Sequence, residues 1–203
     1  MNAIVDYGVG NLFSLESSFR AIGEAVTVTS DPEVLKTADR IILPGVGAFR
    51  DAAEKLNTTG LGPAVKELAL SGKPLLGICL GMQLLFEKSY EYGEYEGLSL
   101  IPGKVKAIKD VTGDALKIPH IGWNALIFRK PSVLFRDIRE GDHVYFVHSY
   151  YADECEAHTT AVTEYGAYLT ASVEKDNIFG CQFHPEKSGS VGLRILKAFC
   201  EVK

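Results

Sequence analysis

One stretch of the chain, Pro74–Phe86 (PLLGICLGMQLLF), sets a cysteine between two glycines where a strand-like run gives way to a helical spacing. Leu75 to Cys79 is apolar, and Met82, Leu85 and Phe86 then recur three and four residues apart. Gly77-Ile78-Cys79-Leu80-Gly81 has the form of a nucleophile elbow with cysteine as the nucleophile. In so tight a turn the residues two positions away must lack bulk, which accounts for a glycine on each side. A helix beginning at Leu80 would aim its positive end at the sulfur and favour thiolate over thiol. The Leu80 N–H, outside the intrahelical bonding, could face a developing oxyanion. The competing reading of this segment is a buried structural cysteine in a glycine-rich strand end.

A thiol nucleophile needs a base. His184 stands out in Cys181-Gln182-Phe183-His184-Pro185-Glu186, at the end of an apolar run. Pro185 drives His184 into an extended conformation and is itself fixed near that region. Residues two apart in an extended segment share a side, so His184 and Glu186 are expected to project together. Glu186 would orient the imidazole and stabilise its charged form, and the imidazole would act as general base and then general acid. The alternative is a strand-end histidine with an exposed acidic neighbour. Cys79 and His184 lie far apart in sequence, which is no obstacle if both close strands at one sheet edge.

Pro44-Gly45-Val46-Gly47 is a second candidate oxyanion element, because two glycines let a loop present backbone N–H groups and change conformation easily. Such glycines also serve ordinary turns. Gln83 follows Cys79 by four, one helical turn along the same face, unless it is simply an exposed helical glutamine. His148, inside the aromatic run Val144–Tyr150, reads as a packing or supporting residue, and His120, just before Gly122-Trp123-Asn124, as lying near a site. His143 and His158 read as surface residues, and Cys155 and Cys200 as structural. Cys181, three residues before His184, is expected to point away from it.

The elements that must position these groups come in two styles. Ala3–Asp6, Ala25–Thr29, Arg40–Leu43 and Leu75–Cys79 read as strands. Between them fall helical segments: one capped by Asn11, one opening at Asp31-Pro32, and two near Ala48–Leu56 and Pro63–Leu70. This alternation predicts an α/β fold with a mainly parallel sheet flanked by helices on both faces, and ligands outside the carboxyl ends of the strands. Gly8–Asn11, Pro44–Gly47 and Cys79 would converge there. The second half predicts antiparallel strands added to that sheet, at Lys104–Ile108, Trp123–Phe128, Val144–Tyr150, His158–Tyr165, Tyr168–Val173 and Ile178–Phe183. A last helix near Val191–Val202 is expected to pack through Leu193, Leu196 and Phe199.

The 203 residues, 46% of them hydrophobic, suit one sizeable core, so residues 1–203 are expected to form a single domain. A net charge of -5 without any basic run argues against nucleic acid. The four cysteines match neither a zinc ligand set nor a small disulfide framework, which suits reduced thiols in the cytoplasm. No apolar run approaches the roughly 18 residues a bilayer span requires, and the first residues read as a strand, not a leader.

The combination of GICLGMQLLF, PGVGAF and GCQFHPEKS resembles the class I (triad) glutamine amidotransferases, with matching motifs from Asp6 to Ser188. DYGVGNLFS, PHIGWN and YFVHSY are similar to the histidine-biosynthetic branch of that family. The resemblance implies a flavodoxin-like amidotransferase fold. It also implies glutamine hydrolysis by Cys79, His184 and Glu186 through a glutamyl thioester, with no metal and no organic cofactor. By the same resemblance, Leu80 and the Gly45-Val46-Gly47 loop hold the oxyanion, and Gln83, Ser149 and Tyr150 hold L-glutamine. The implied partner is a (β/α)₈-barrel synthase subunit, joined as a heterodimer, that takes ammonia through an internal passage. Asn11, Trp123 and Lys187 are the expected interface residues, although Trp123, the only tryptophan, reads equally as core. Glutaminase activity is expected to stay nearly silent until partner and ligand bind, when a loop amide turns inward. Two other readings fit the triad: an amidotransferase subunit of vitamin B6 or anthranilate synthesis, or a stand-alone Cys-His hydrolase. A non-catalytic binding subunit is a third, which the intact triad argues against.

Overall fold

The computed structural model describes residues 1–113 and 116–202. Strand and helix alternate first: β1 (Asn2–Val5), α1 (Leu12–Ala21), β2 (Val26–Thr29), α2 (Pro32–Thr37), β3 (Arg40–Leu43), α3 (Phe49–Thr58), α4 (Leu61–Leu70) and β4 (Leu75–Ile78). Local chemistry starts two of these helices. Asn11 Oδ1 accepts from Ser14 N at 3.4 Å, and Asp31 Oδ1 accepts from Glu33 N at 2.8 Å with Pro32 in the first turn. There follow α5 (Leu80–Gln83), β5 (Lys88–Ser89), β6 (Tyr95–Glu96), β7 (Lys104–Ala107), α6 (Lys109–Thr112), β8 (His120–Ala125) and β9 (Ile127–Phe128). The chain ends with β10 (His143–His148), β11 (Tyr150–Asp153), β12 (Thr159–Glu164), β13 (Tyr168–Lys175), β14 (Ile178–Cys181) and α7 (Gly189–Cys200).

The main sheet runs β2-β1-β3-β4-β14-β13-β12-β9. Its first five strands are parallel and the last three antiparallel. Apolar side chains leave both faces, as a sheet sandwiched between helix layers requires. One face packs Val5, Leu43 and Leu75 under Leu35, Phe49, Leu56 and Val65 of α2–α4. The other packs Ile4, Ile42 and Phe179 under Phe19 of α1 and Leu196 and Phe199 of α7. β4 and β14 are neighbours, with Gly77 opposite Gly180 and Ile78 opposite Cys181. The loops that follow these two strands therefore leave the sheet side by side.

The second half departs from the sequence expectation in how its strands are shared among sheets. β13, β12 and β9 do extend the main sheet, but β8 pairs only with β10, and β11-β7-β5-β6 form a separate sheet. The run Val144–Tyr150 breaks at Ser149, so its two parts serve different sheets. β5, β6 and β9 are two residues long, too short for an alternating pattern to register. The helix after Cys79 stops after one turn, so Leu85 and Phe86 reach the core from turns. Among the described residues no helix is long and apolar enough to cross a membrane. All four cysteines are unpaired and buried.

Gly192 in α7 carries the contact that seats the 3₁₀ turn at Pro185–Lys187. A Cβ there would overlap the Pro185 carbonyl oxygen and come within 2.7 Å of its carbonyl carbon. Backbone cannot yield as a flexible side chain would, so Gly192→Ala is expected to lower stability by at least about 2 kcal/mol. Urea unfolding checks this, and an unchanged midpoint would refute the packing argument.

Candidate active site

Cys79 sits between β4 and α5 with φ 53° and ψ −111°. That left-handed backbone costs a non-glycine residue about 1–3 kcal/mol and persists only where its surroundings enforce it. They do so here through glycine. A Cβ on Gly77 would lie 2.7 Å from the Gly81 oxygen, and one on Gly81 would collide with the Leu43 carbonyl. Cys79 N donates to Cys181 O at 2.8 Å, tying the elbow to β14. With α5 only one turn long, the macrodipole expected from the sequence shrinks to the local peptide dipoles of that turn. The first-turn N–H of Leu80 has no intrahelical partner.

His184 follows β14 with φ −98° and ψ 100°, the extended conformation that Pro185 demands. Glu186 reaches it from a 3₁₀ turn, not from the continued extended segment expected. Its Oε1 lies 2.8 Å from His184 Nδ1, with both side chains only 3% exposed. That bond places the Nδ1 proton on the carboxylate side and leaves Nε2 for the cavity. Nε2 is buried and makes no well-formed hydrogen bond among the described residues. Cys79 nonetheless bears on the ring as an acceptor and as a charge. Burial opposes a charged His184, but Cys79 and Glu186 outweigh it and raise its pKa from 6.5 to about 10.

Cys79 and His184 open into a cavity of about 320 Å³. Val46, Gly47, Leu80, Gln83, Ser149 and Tyr150, all singled out in the sequence, line it too. Gly45 does not; it packs beneath, where a Cβ would come within 2.8 Å of Gly81 N and 2.9 Å of Leu80 Cβ. Gln83 is buried, not an exposed helical residue. Its Nε2 donates to Tyr150 O at 3.0 Å and to Gln182 Oε1 at 2.9 Å. Gln182 Nε2 in turn points at Cys79 Sγ, 3.6 Å away. Tyr7 holds the Gly45–Gly47 loop from below, its hydroxyl donating to Pro44 O at 2.7 Å.

Sequence reading missed Gln182 and Glu91. Gln182 stands two before His184 in the sequence, so the parity rule that linked His184 and Glu186 would have pointed to it, although β14 ends at Cys181. Glu91 lies in an irregular turn beside Tyr92 and gave no periodic signal. It lines the cavity, accepts from Phe49 N at 2.7 Å, and burial raises its pKa. The three expected interface residues fall outside the cavity. Asn11 caps α1. Trp123 is 62% exposed, which excludes the core reading, and packs its edge on Tyr145 with ring centroids 5.0 Å apart. Lys187 sets its ammonium 5.8 Å from the centroid of that same Tyr145 ring. Cys155 and Cys200 are buried away from the cavity, and Cys181 turns into the core beside α7.

An elbow cysteine and a carboxylate-held histidine on adjacent parallel strands agree with the family match. The chain belongs to the class-I glutamine amidotransferase family, whose model matches residues 3–202. Within it, the chain is 50% identical over 203 residues to "Imidazole glycerol phosphate synthase subunit HisH" of Caldanaerobacter subterraneus subsp. tengcongensis, covering 100% of this chain and 98% of that one. The protein of the same name from Wolinella succinogenes is 48% identical over 204 residues, covering all of both chains. Among solved structures, "Crystal structure of glutamine amidotransferase" superposes with a TM-score of 0.76 at 17% identity, covering 98% of this chain and 97% of that one. That likeness supports the fold.

The raised His184 pKa has a direct check. The folded value lies above the ordinary 6.5. The stabilisation from charging His184 is therefore complete below pH 6.5 and lost as pH rises through about 10. Cys79→Ala removes the sulfur and leaves burial opposed by Glu186 alone. The His184 titration followed by NMR should then fall by on the order of two pH units; an unchanged titration would show that the sulfur does not act on the ring.

Proposed function

We propose that this cavity is the glutaminase site of the chain, with Cys79 as nucleophile, His184 as proton carrier and Glu186 as the group that orients it. The chain is the glutaminase subunit of an imidazole glycerol phosphate synthase, a reading supported by relatives of that name matching it along its whole length. The observation that carries the chemistry is the pairing of a strained elbow thiol with an imidazole whose Nδ1 is held by a buried carboxylate.

With the proton already held on His184, Cys79 attacks the side-chain amide carbon of L-glutamine as the thiolate of a thiolate–imidazolium pair. The oxyanion is held by the Leu80 N–H and by an N–H of the Gly45-Val46-Gly47 loop. His184 returns the proton to the leaving nitrogen, ammonia departs, and a glutamyl thioester remains. His184 then takes a proton from water, hydroxide attacks the thioester, and glutamate leaves with the thiol restored. Gln83, Ser149 and Tyr150 hold the amino-acid end. Glu91, the one carboxylate among the described residues lining the cavity, supplies a counter-charge for its α-ammonium.

As a synthase subunit the chain has a partner. The finer reading is a (β/α)₈-barrel that joins it as a heterodimer and docks through Asn11, Trp123 and Lys187. Ammonia would reach it by an internal passage that keeps it from being lost or protonated in solvent. The barrel would turn a phosphorylated ribulosyl carboxamide nucleotide into imidazole glycerol phosphate and an aminoimidazole carboxamide ribotide. Exposure of Trp123 and of Phe13, 78% exposed beside Asn11, supports a docking face. The reading takes residues 1–203 as one domain in the cytoplasm, where four unpaired cysteines stay reduced.

The test is peptide-mapped mass spectrometry after treatment with a glutamine-mimicking electrophile. Glutamine should protect Cys79 from the adduct, and the barrel partner with its nucleotide should speed its formation. Absence of any Cys79 adduct would remove it as nucleophile. Glu91→Gln keeps an acceptor for Phe49 N but loses the charge, so KM for glutamine should rise about tenfold with kcat much less changed. An unchanged KM would exclude the counter-charge role. Ala at Asn11, Trp123 and Lys187 together should weaken the complex in gel filtration, and undiminished assembly would exclude that interface.

A further inference from the structure

Two buried histidines remain outside the mechanism. His120 in β8 and His148 in β10 face each other across the strand pair and are 3% and 6% exposed. His120 Nδ1 lies 3.0 Å from His148 Nε2, and His148 Nδ1 lies 2.9 Å from the Tyr150 carbonyl oxygen. A carbonyl only accepts, so His148 must carry its proton on Nδ1. Its Nε2 is then a lone pair, and the proton shared with His120 must belong to His120 Nδ1. His120 Nε2 is in turn left as an acceptor, and Asn124 Nδ2 stands 3.4 Å from it. Burial holds both rings in the neutral state this ordering needs, pushing His120 to about 4 and His148 to about 3.

The same carbonyl orders the cavity side. Tyr150 O also accepts from Gln83 Nε2, so the Gln83 amide can face only one way. Its nitrogen meets Gln182 Oε1 as well, which turns Gln182 Nε2 toward Cys79 Sγ. Gln83 Oε1 is left as an acceptor for a donor entering the cavity that Gln83 lines.

We propose that His120 and His148 are positioning residues for the substrate, a neutral imidazole pair with both protons on Nδ1. They fix the Tyr150 carbonyl and, through it, the Gln83 and Gln182 amides at the thiol. The pair also ties the cavity to β8, the strand that carries exposed Trp123. The kinetic consequence rests on the glutaminase reading above; the proton ordering does not.

Nitrogen-15 histidine NMR on the full chain at pH 7 should find His120 and His148 both as neutral Nδ1–H tautomers, the less common form of a free side chain. Kinetics on the complex with its synthase partner give the second readout. His120→Phe keeps the ring volume stacked between Phe146 and Tyr165, 4.9 Å and 4.1 Å away between centroids, and loses both nitrogens. It should raise KM for glutamine on the order of tenfold with a smaller change in kcat. His120→Asn, whose amide can replace the Nδ1–H, should recover most of the loss. An Nε2–H signal on either ring overturns the proposal whatever the activity, and so does an unchanged KM in His120→Phe. Both Nδ1–H signals in a protein without glutaminase activity would overturn the functional reading, and with it the positioning role.

Discussion

The site depends on a contact that only a hydrogen atom can fill, between the Gly81 α-carbon and the carbonyl of Leu43. Because the first turn of α5 rests directly on the end of β3, the chain must reverse within a residue of β4, and Cys79 is forced into its left-handed conformation. Gly77 answers the same crowding from the strand side, and Gly45 from the loop below. Three glycines from three segments thus close on one small volume. The thiol is aimed by exclusion: each neighbouring backbone occupies a direction the cysteine would otherwise take.

Burial and hydrogen bonding pull against each other throughout the cavity wall. His184 keeps its charge against burial because Glu186 and Cys79 outweigh the loss of water. His120 and His148 have no such partners, and burial keeps them neutral. Imidazoles on nearby segments are thereby sorted into two kinds, one that holds a proton at neutral pH and two that do not. That separation leaves His184 as the one of these three rings that holds a proton beside the thiol.

Much of this was legible in the sequence because the information was local. Arg40–Leu43 was read with the limits it has in the structure, since its apolar residues end at Pro44. The elbow was legible because its glycines are two residues from the thiol. What the sequence hid depended on contacts between distant segments. The one-turn length of α5 is set by the core that receives Leu85 and Phe86, not by their helical spacing. The break at Ser149 follows from two sheets competing for one run of residues. Glu91 belongs to no regular element, and only the fold carries it to the start of α3. Trp123 was ambiguous because an indole suits either a core or an interface; its exposure on a strand outside the main sheet excludes the core.

β4 and β14 are adjacent in space, yet most of the second half of the chain lies between them in sequence. The chain leaves the sheet after the thiol, builds its smaller sheets and the antiparallel strands β9, β12 and β13, and then lays β14 beside β4 to deliver the imidazole. The nearness of those two groups follows from the pairing of two short parallel strands. A change of length in a surface turn of that excursion would leave the pairing of β4 with β14 unaltered. The thiol and the imidazole are thus held near one another by strand pairing and not by the covalent path between them.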